Sequence, residues 1–424
     1  MSETKKTYFF NSAWMLAEKL IRMIAAILTS ILFARYLGPS QFGNLNYAIA
    51  FVSIFIPFSE FGMSSILVRD YIIHKNKKKI ILGTSFYLLL LFSFLSFVVL
   101  NIINLTIDED QTISYWILLY SFILFAKPLD VIDFYFQSEV KAKISSICKT
   151  ISILITLLLK FIIVAFNFPI IYIVYVLVLE FILLALFYLI TFWKIENIKF
   201  TKYFDLKIFK DLIRSAWPIV LSALSVILYM RIDQIMLKQM VSAEELGLYS
   251  SAIRIYEGYV SLIIVVSLSM MPAILALKHK SEKEYTAGFT KLFSYVFWGN
   301  NLIALIMTFI GPILITFLYG EEYNGAQLVF SIIFWASSFA SLGSVTARYL
   351  IVEKKEKKQA TRTIVALTCN ILLNLIIIPK YGKEGAAITT IISLFIGNYL
   401  IDYFDKDLKK LLRIKNNAIR FNFK

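Results

Sequence analysis

Charge, histidine and cysteine are all scarce in this chain of 424 residues: 17% of positions are charged, against 59% hydrophobic, with only two histidines and two cysteines. At a mean hydropathy of +0.75, water cannot be the solvent for most of the surface, which excludes an ordinary soluble domain. Cys148 and Cys369 both fall within apolar stretches, so neither a disulfide framework nor a metal cluster is expected of them. His74 and His279 lie in loops beside lysines, which argues against a histidine metal site or proton relay. A Walker A loop, an HExxH and a GxSxG are all missing, so an ATP-driven pump and a hydrolase lack their working parts and no cofactor is expected. The net charge of +15 raises nucleic acid as a partner. The cations, however, sit in short loops flanking apolar runs, where they set membrane orientation instead.

What the chain has is apolar length. Windows of about 20 apolar residues predict spans over 10–34, 42–63, 80–103, 113–132, 145–166 and 170–192. A second set follows over 215–239, 248–276, 291–318, 327–352, 361–379 and 386–404. The fold class expected is an all-α polytopic membrane protein of about twelve helices in two six-helix bundles. The first run carries Glu18, Lys19 and Arg22 and no small-residue cleavage site, so it reads as a retained span and not a signal peptide.

Basic residues alternate sides. One side collects Lys5, Lys6, the cluster from Arg69 to Lys79, Lys141, Lys143, the stretch from Lys194 to Arg214, Lys278 to Lys283, Lys354 to Arg362 and the tail. The other has only Arg35, Lys380 and Lys383, so both termini are expected to be cytoplasmic and the number of spans even. Opposite loops are short, the longest being 104–112 with Asp108, Glu109 and Asp110, which leaves no external domain to hold a catalytic site. The stretch 193–214 alternates Lys with Phe, Ile and Leu and predicts an interfacial helix linking bundles 1–192 and 215–404, with a basic tail over 405–424. Both bundles start on the same side, so any internal repeat is parallel. A faint match of Gln41–Ala48 with Glu245–Ala252 fits that arrangement.

Charges inside spans are the candidates for function, since one near a helix centre costs roughly 2.5 to 3.5 kcal/mol on insertion scales. Arg231 and Asp233 lie in the seventh span, two positions apart, so each needs its own partner. Arg254 and Glu257 lie in the eighth at a spacing that allows a local pair. Two readings stand side by side. Arg231 and Arg254 line a cavity and meet an anionic headgroup, for which guanidinium is suited, or the same residues form an interhelical ion-pair network. Asp233 and Glu257 serve in charge pairing or ion coupling. Glu18, Lys19 and Arg22 read first as residues snorkelling from an interfacial turn, as do Glu60 and Arg348. Lys127, Pro128 and Asp130 read as a local pair at a proline kink. Lys160 and Glu180 lie in the outer half of the fifth span and in the sixth, with nothing in the spacing to say whether they meet.

From Leu37-Gly-Pro-Ser-Gln-Phe-Gly43 through Ala48, Pro57, Phe61-Gly62 and Arg69, the chain resembles the opening of bacterial O-antigen or polysaccharide repeat-unit flippases of the Wzx type. These belong to the multidrug/oligosaccharidyl-lipid/polysaccharide exporter superfamily. Arg231-Ile-Asp233-Gln-Ile-Met-Leu, Glu245-Leu-Gly-Leu-Tyr249, Tyr319-Gly320, Tyr323, Asn374, Ile378-Pro-Lys-Tyr-Gly382 and Gly385-Ala-Ala387 extend the resemblance to about residue 404. It implies a twelve-helix, non-enzymatic transporter in the bacterial cytoplasmic (inner) membrane. Its cargo would be an undecaprenyl-pyrophosphate-linked oligosaccharide, carried to the outer leaflet by alternating access for O-antigen or capsule. The polysaccharide polymerase and other export-pathway proteins are implied as partners. Cations of a central cavity then engage the pyrophosphate, and the matching candidates are Arg231, Arg254, Lys19, Arg22 and Lys127. An interior-negative potential favours outward movement of an anion by roughly 2.3 kcal/mol per charge per 100 mV, so ion coupling does not follow from charge alone. The rival is a cation-coupled multidrug antiporter of the same superfamily, whose cavity should be acidic, whereas the deep charges here lean basic. A lipid II flippase resembles a fourteen-span layout, and a membrane polymerase would carry a large external loop.

Overall fold

A computed structural model describes residues 3–107, 110–278 and 280–421; Asp108, Glu109 and His279 lie outside them. The chain is all-α. Its first helices are α1 (Glu3–Ser53), α2 (Ile56–Glu60), α3 (Met63–Ile73), α4 (Lys78–Ile107), α5 (Gln111–Ser121), α6 (Asp130–Ser138), α7 (Ala142–Ala165) and α8 (Ile171–Glu196). They are followed by α9 (Leu206–Met240), α10 (Ala243–Lys278), α11 (Glu282–Tyr319), α12 (Gln327–Ile333), α13 (Ala336–Val352), α14 (Glu356–Asn398) and α15 (Lys409–Ile419).

Among the described residues, eight helical stretches are long and apolar enough to cross a membrane, and α12–α13 adds a ninth bent by 47°. Two of the eight, Asn11–Ile73 with 63 residues and Glu356–Tyr403 with 48, far exceed the roughly 20 residues one crossing needs. Each holds two crossings. The break in α1 is Gly38 (φ 68°), followed by Pro39, and that in α14 is Gly382 (φ 51°), both in backbone conformations that favour glycine. The fourth crossing is not one continuous α-helix, because its middle, Phe122–Leu129, winds as a 3-10 helix between α5 and α6. Pro128 sits there with no N–H to give, and a 3-10 stretch inside a span marks local strain or a hinge. With these resolved, the spans number about twelve, as apolar length predicts.

The chain packs as two compact units. The first comprises Met1–Tyr36 and Ala48–Ile227. Its core gathers Phe61, Tyr71, Phe136, Tyr188, Phe192 and Phe200. The stretch 193–214 is not one interfacial helix: α8 runs on to Glu196, α9 begins at Leu206, and the turn between them docks on α4. Docking is close because Gly83 has no side chain, and a Cβ there would fall 2.1 Å from the Tyr203 carbonyl oxygen. The Tyr87 hydroxyl donates to the Thr201 carbonyl (2.6 Å) and the Asp205 N–H to Thr84 Oγ1 (3.0 Å).

The second unit comprises Leu37–Tyr47 and Leu228–Lys424. The short piece after the Gly38 break lies against the start of α10, where a Cβ on Gly247 would fall 1.9 Å from the Pro39 carbonyl oxygen. The tail helix α15 is part of this unit's core: Leu411, Ile414 and Ala418 pack with Phe289 and Phe293 of α11 and Val345 and Tyr349 of α13.

Candidate functional site

Two charged centres sit in the membrane helices of the second unit. The first is built on Glu257 in α10. Arg231 of α9 donates from Nη1 to Glu257 Oε1 at 3.1 Å, and Arg254 Nη1 lies 3.9 Å from Oε2. One carboxylate therefore serves two guanidinium groups, and the cluster keeps one net positive charge. All three side chains are partly exposed, between 18% and 27%. The arrangement has donors left over and offers them to an anion. The local pair expected for Arg254 and Glu257 is present, but the shorter contact is the interhelical one from Arg231.

The second centre is Asp233, on the same helix and buried. Its carboxylate accepts from the Tyr249 hydroxyl (3.0 Å), Thr390 Oγ1 (2.8 Å) and Asn374 Nδ2 (2.6 Å). Asn374 Nδ2 also donates to Asn370 Oδ1 at 3.2 Å, and Thr389 donates to Asn374 Oδ1. Among the described residues no cation pairs with Asp233. A buried carboxylate satisfied only by neutral donors keeps its charge in a low-dielectric site, which is costly unless a proton or another cation joins it. The Asp233 carboxylate and Thr390 Oγ1, 2.8 Å apart, are hard oxygen donors of the kind a small cation takes. The geometry comes from three helices: α9 and α10 give Asp233 and Tyr249, and the two arms of α14, folded back at Gly382, bring Asn374 and Thr390 together.

The remaining candidates belong to the first unit. Lys127 meets Glu60 at 2.6 Å and Asp130 at 3.6 Å. Glu60 is therefore paired across helices and not simply snorkelling, and the local Lys127–Asp130 pair is the longer of the two. Arg22 pairs with Glu18 (3.2 Å, i,i+4), while Lys19 is exposed and pairs with no described carboxylate. Lys160 and Glu180 do meet, at 2.6 Å, with Thr156 Oγ1 donating to the same carboxylate oxygen at 3.1 Å. Sequence reasoning passed over Lys149 and Asp133, paired at 2.7 Å, and the neutral partners of Asp233. For the latter the available signals were Asn370 and Asn374 one helical turn apart in an apolar run, and the adjacent Thr389 and Thr390.

Residues 10–278 match the family described as polysaccharide biosynthesis protein. The chain belongs to that family. Along nearly its whole length it is similar to the capsular polysaccharide biosynthesis protein CapF of Staphylococcus aureus, 24% identical over 407 residues that cover 93% of this chain and 98% of CapF. Its fold is that of the lipid II flippase MurJ in an inward closed conformation (TM-score 0.74, 17% identity, 98% of this chain and 92% of the other). It also matches the fold of an inward-facing multidrug resistance MATE family transporter of the MOP superfamily (TM-score 0.71, 16% identity, 95% of this chain and 96% of the other). Membership of a polysaccharide biosynthesis family and a multi-pass fold shared with transporters both agree with the resemblance that the motifs around Leu37–Gly43 and Arg231–Leu237 carry.

Proposed function

We propose that this protein is a flippase that moves an undecaprenyl-pyrophosphate-linked oligosaccharide from the cytoplasmic to the outer leaflet of the bacterial cytoplasmic membrane, for capsule or O-antigen assembly. The observation that carries the reading is the Arg231–Glu257–Arg254 cluster, where two guanidinium groups share one carboxylate and a net positive charge stands within membrane helices. An anionic pyrophosphate is the group such a cluster favours, through charge-assisted, bidentate hydrogen bonds. Family membership and the similarity to CapF point to the same cargo class, and the transporter fold points to alternating access. In the first unit Arg22 is held by Glu18 and Lys127 by Glu60 and Asp130, while Lys19 pairs with no described carboxylate, so the assignment of an anionic headgroup rests on Arg231 and Arg254. Glu257 is occupied by its arginines, so Asp233 is the carboxylate assigned to a coupling cation, H⁺ or Na⁺. The polymerase that consumes the delivered units is the implied partner.

The test deletes the gene, complements it with wild type, Arg231→Ala or Asp233→Asn at matched membrane levels, and sorts lipid-linked oligosaccharides by leaflet. Complete units trapped on the cytoplasmic face, released by wild type, not by Arg231→Ala and only slowly by Asp233→Asn, are expected. Unchanged surface glycan with heightened sensitivity to cationic drugs would replace this reading with the antiporter.

A further inference from the structure

The tail carries an exposed cationic face apart from the two charged centres described above. In α15 the buried face is set by Leu411, Ile414, Lys415 and Ala418, while Lys409, Arg413 and Arg420 recur on the opposite, exposed face at the spacing of a single helical stripe. Among the described residues none of these three cations pairs with a carboxylate, unlike Lys410, which meets Glu282. The stripe is held rigidly. Lys415 donates to Asp402 at 2.7 Å and to the Asn398 carbonyl at 2.6 Å, and Asp402 also holds Arg362 at the start of α14. The Tyr399 hydroxyl donates to Asn416 at 2.7 Å.

The place where α15 ends decides what the stripe meets. The Trp298 indole N–H donates to the Ile419 carbonyl (3.2 Å), and its ring stacks on Phe421 with centroids 5.1 Å apart. Beyond Trp298, α11 exposes Leu302, Leu305, Ile306, Phe309, Ile313 and Phe317. From Trp298 to Phe317 is roughly 28 Å at 1.5 Å per residue, the thickness of one hydrocarbon layer. Trp298 thus marks its edge, as interfacial tryptophans do. Arg420 stands at the headgroup level beside it, and Arg413 two turns behind, roughly 10 Å away and still within a Debye length.

The geometry points to a preformed binding surface for the phosphate headgroups of anionic phospholipids in the leaflet on the tail side, with Arg420 and Arg413 as its cations and the Trp298–Phe421 stack as its apolar edge. A soluble acidic partner fits less well, because the stripe abuts the lipid-facing wall of α11. The inference needs only the membrane fold and stands whether or not the flippase reading does.

The full chain is reconstituted in vesicles of phosphatidylcholine with one fifth phosphatidylglycerol, extracted in mild detergent, and its retained lipids are counted by native mass spectrometry. Each cation near an anionic surface contributes a factor of about five, so Arg413→Gln/Arg420→Gln is expected to lower phosphatidylglycerol retention about twenty-fivefold with phosphatidylcholine unchanged. Lys75→Gln/Lys77→Gln removes as much charge from another exposed loop and is expected to leave retention as in wild type. Equal losses in both pairs would mean that only net charge matters, and retention unaltered in the arginine pair would mean that no such surface exists. Either result overturns the inference, as would loss of an acidic protein from the arginine pair with lipid retention intact.

Discussion

Removing Asp402 should damage the second unit far more than removing the lysine bound to it. Asp402 and Lys415 are fully buried and Arg362 is 2% exposed, so one carboxylate faces two cations out of reach of water. Two cations against one carboxylate leave the triad one charge in excess, and among the described residues Arg362 Nε and Nη2 find no acceptor. Asp402→Asn strands both cations, and breaking a buried pair costs about 3 to 5 kcal/mol. Lys415→Met instead keeps the Arg362–Asp402 pair and removes the surplus charge, so it should lie within about 1 kcal/mol of wild type or above it. Burial and the neighbouring Arg362 push the Lys415 ammonium down to about 7. The docked tail therefore binds fewer protons than the free one between pH 7 and the ordinary lysine range. Docking should strengthen as pH rises through that window, by up to about 1.4 kcal/mol per unit, and level off below it. Tryptic release of the tail from protein in micelles, followed from pH 6.5 to 9, reads both effects. Equal release from Asp402→Asn and Lys415→Met, or a wild-type profile flat with pH, would refute the reasoning.

Two further outcomes follow from packing. Gly247→Val places a branched side chain where even a Cβ lies 1.9 Å from the Pro39 carbonyl oxygen, whereas Gly299→Ala, in α11, meets nothing within 4 Å. The yield of monodisperse protein in mild detergent should collapse for the first and hold for the second. Lys160→Met leaves Glu180 without its buried partner and should lower the unfolding temperature sharply, while Lys160→Met/Glu180→Leu should recover most of the loss. A double variant no better than the single would show that a stranded Glu180 carboxylate is not the source of the loss.

The helices were legible because a bilayer imposes a local rule: about 20 apolar residues per crossing, readable window by window. The breaks were half legible. Leu37-Gly-Pro39 and Tyr381-Gly382 carry their glycines openly, but the 3-10 winding of Phe122–Leu129 shows only as Pro128, and the docking of the 197–205 turn depends on Gly83, more than a hundred residues away. Partners across helices were out of reach for the same reason. Glu60 finds Lys127 and Lys160 finds Glu180 through packing, which no spacing along one helix encodes. The tail is instructive in a different way. Its cations dominate the composition and suggest a solvated segment, yet the apolar spacing of Leu411, Ile414 and Ala418 already described a helix with a buried face.

Arg231 and Asp233 are neighbours in the sequence, yet the fold uses them apart. Two positions along α9 turn them to different neighbours. Arg231 meets a carboxylate already shared with Arg254, so positive charge is left over, while Asp233 meets only hydroxyls and an amide, so negative charge is left over. The first surplus suits an anionic headgroup and the second a small cation. Both are carried by one helix, so the proposed function puts the headgroup and the coupling cation on a shared element, and a shift of α9 that accompanied filling of one site would alter the other. If they are so coupled, Asp233→Asn should weaken the ion dependence of transport while leaving headgroup binding in place, and Arg254→Ala should do the reverse. Transport by reconstituted protein, measured with and without an imposed cation gradient, separates the two. Variants that lose both properties together would leave α9 as a shared scaffold with no division of labour.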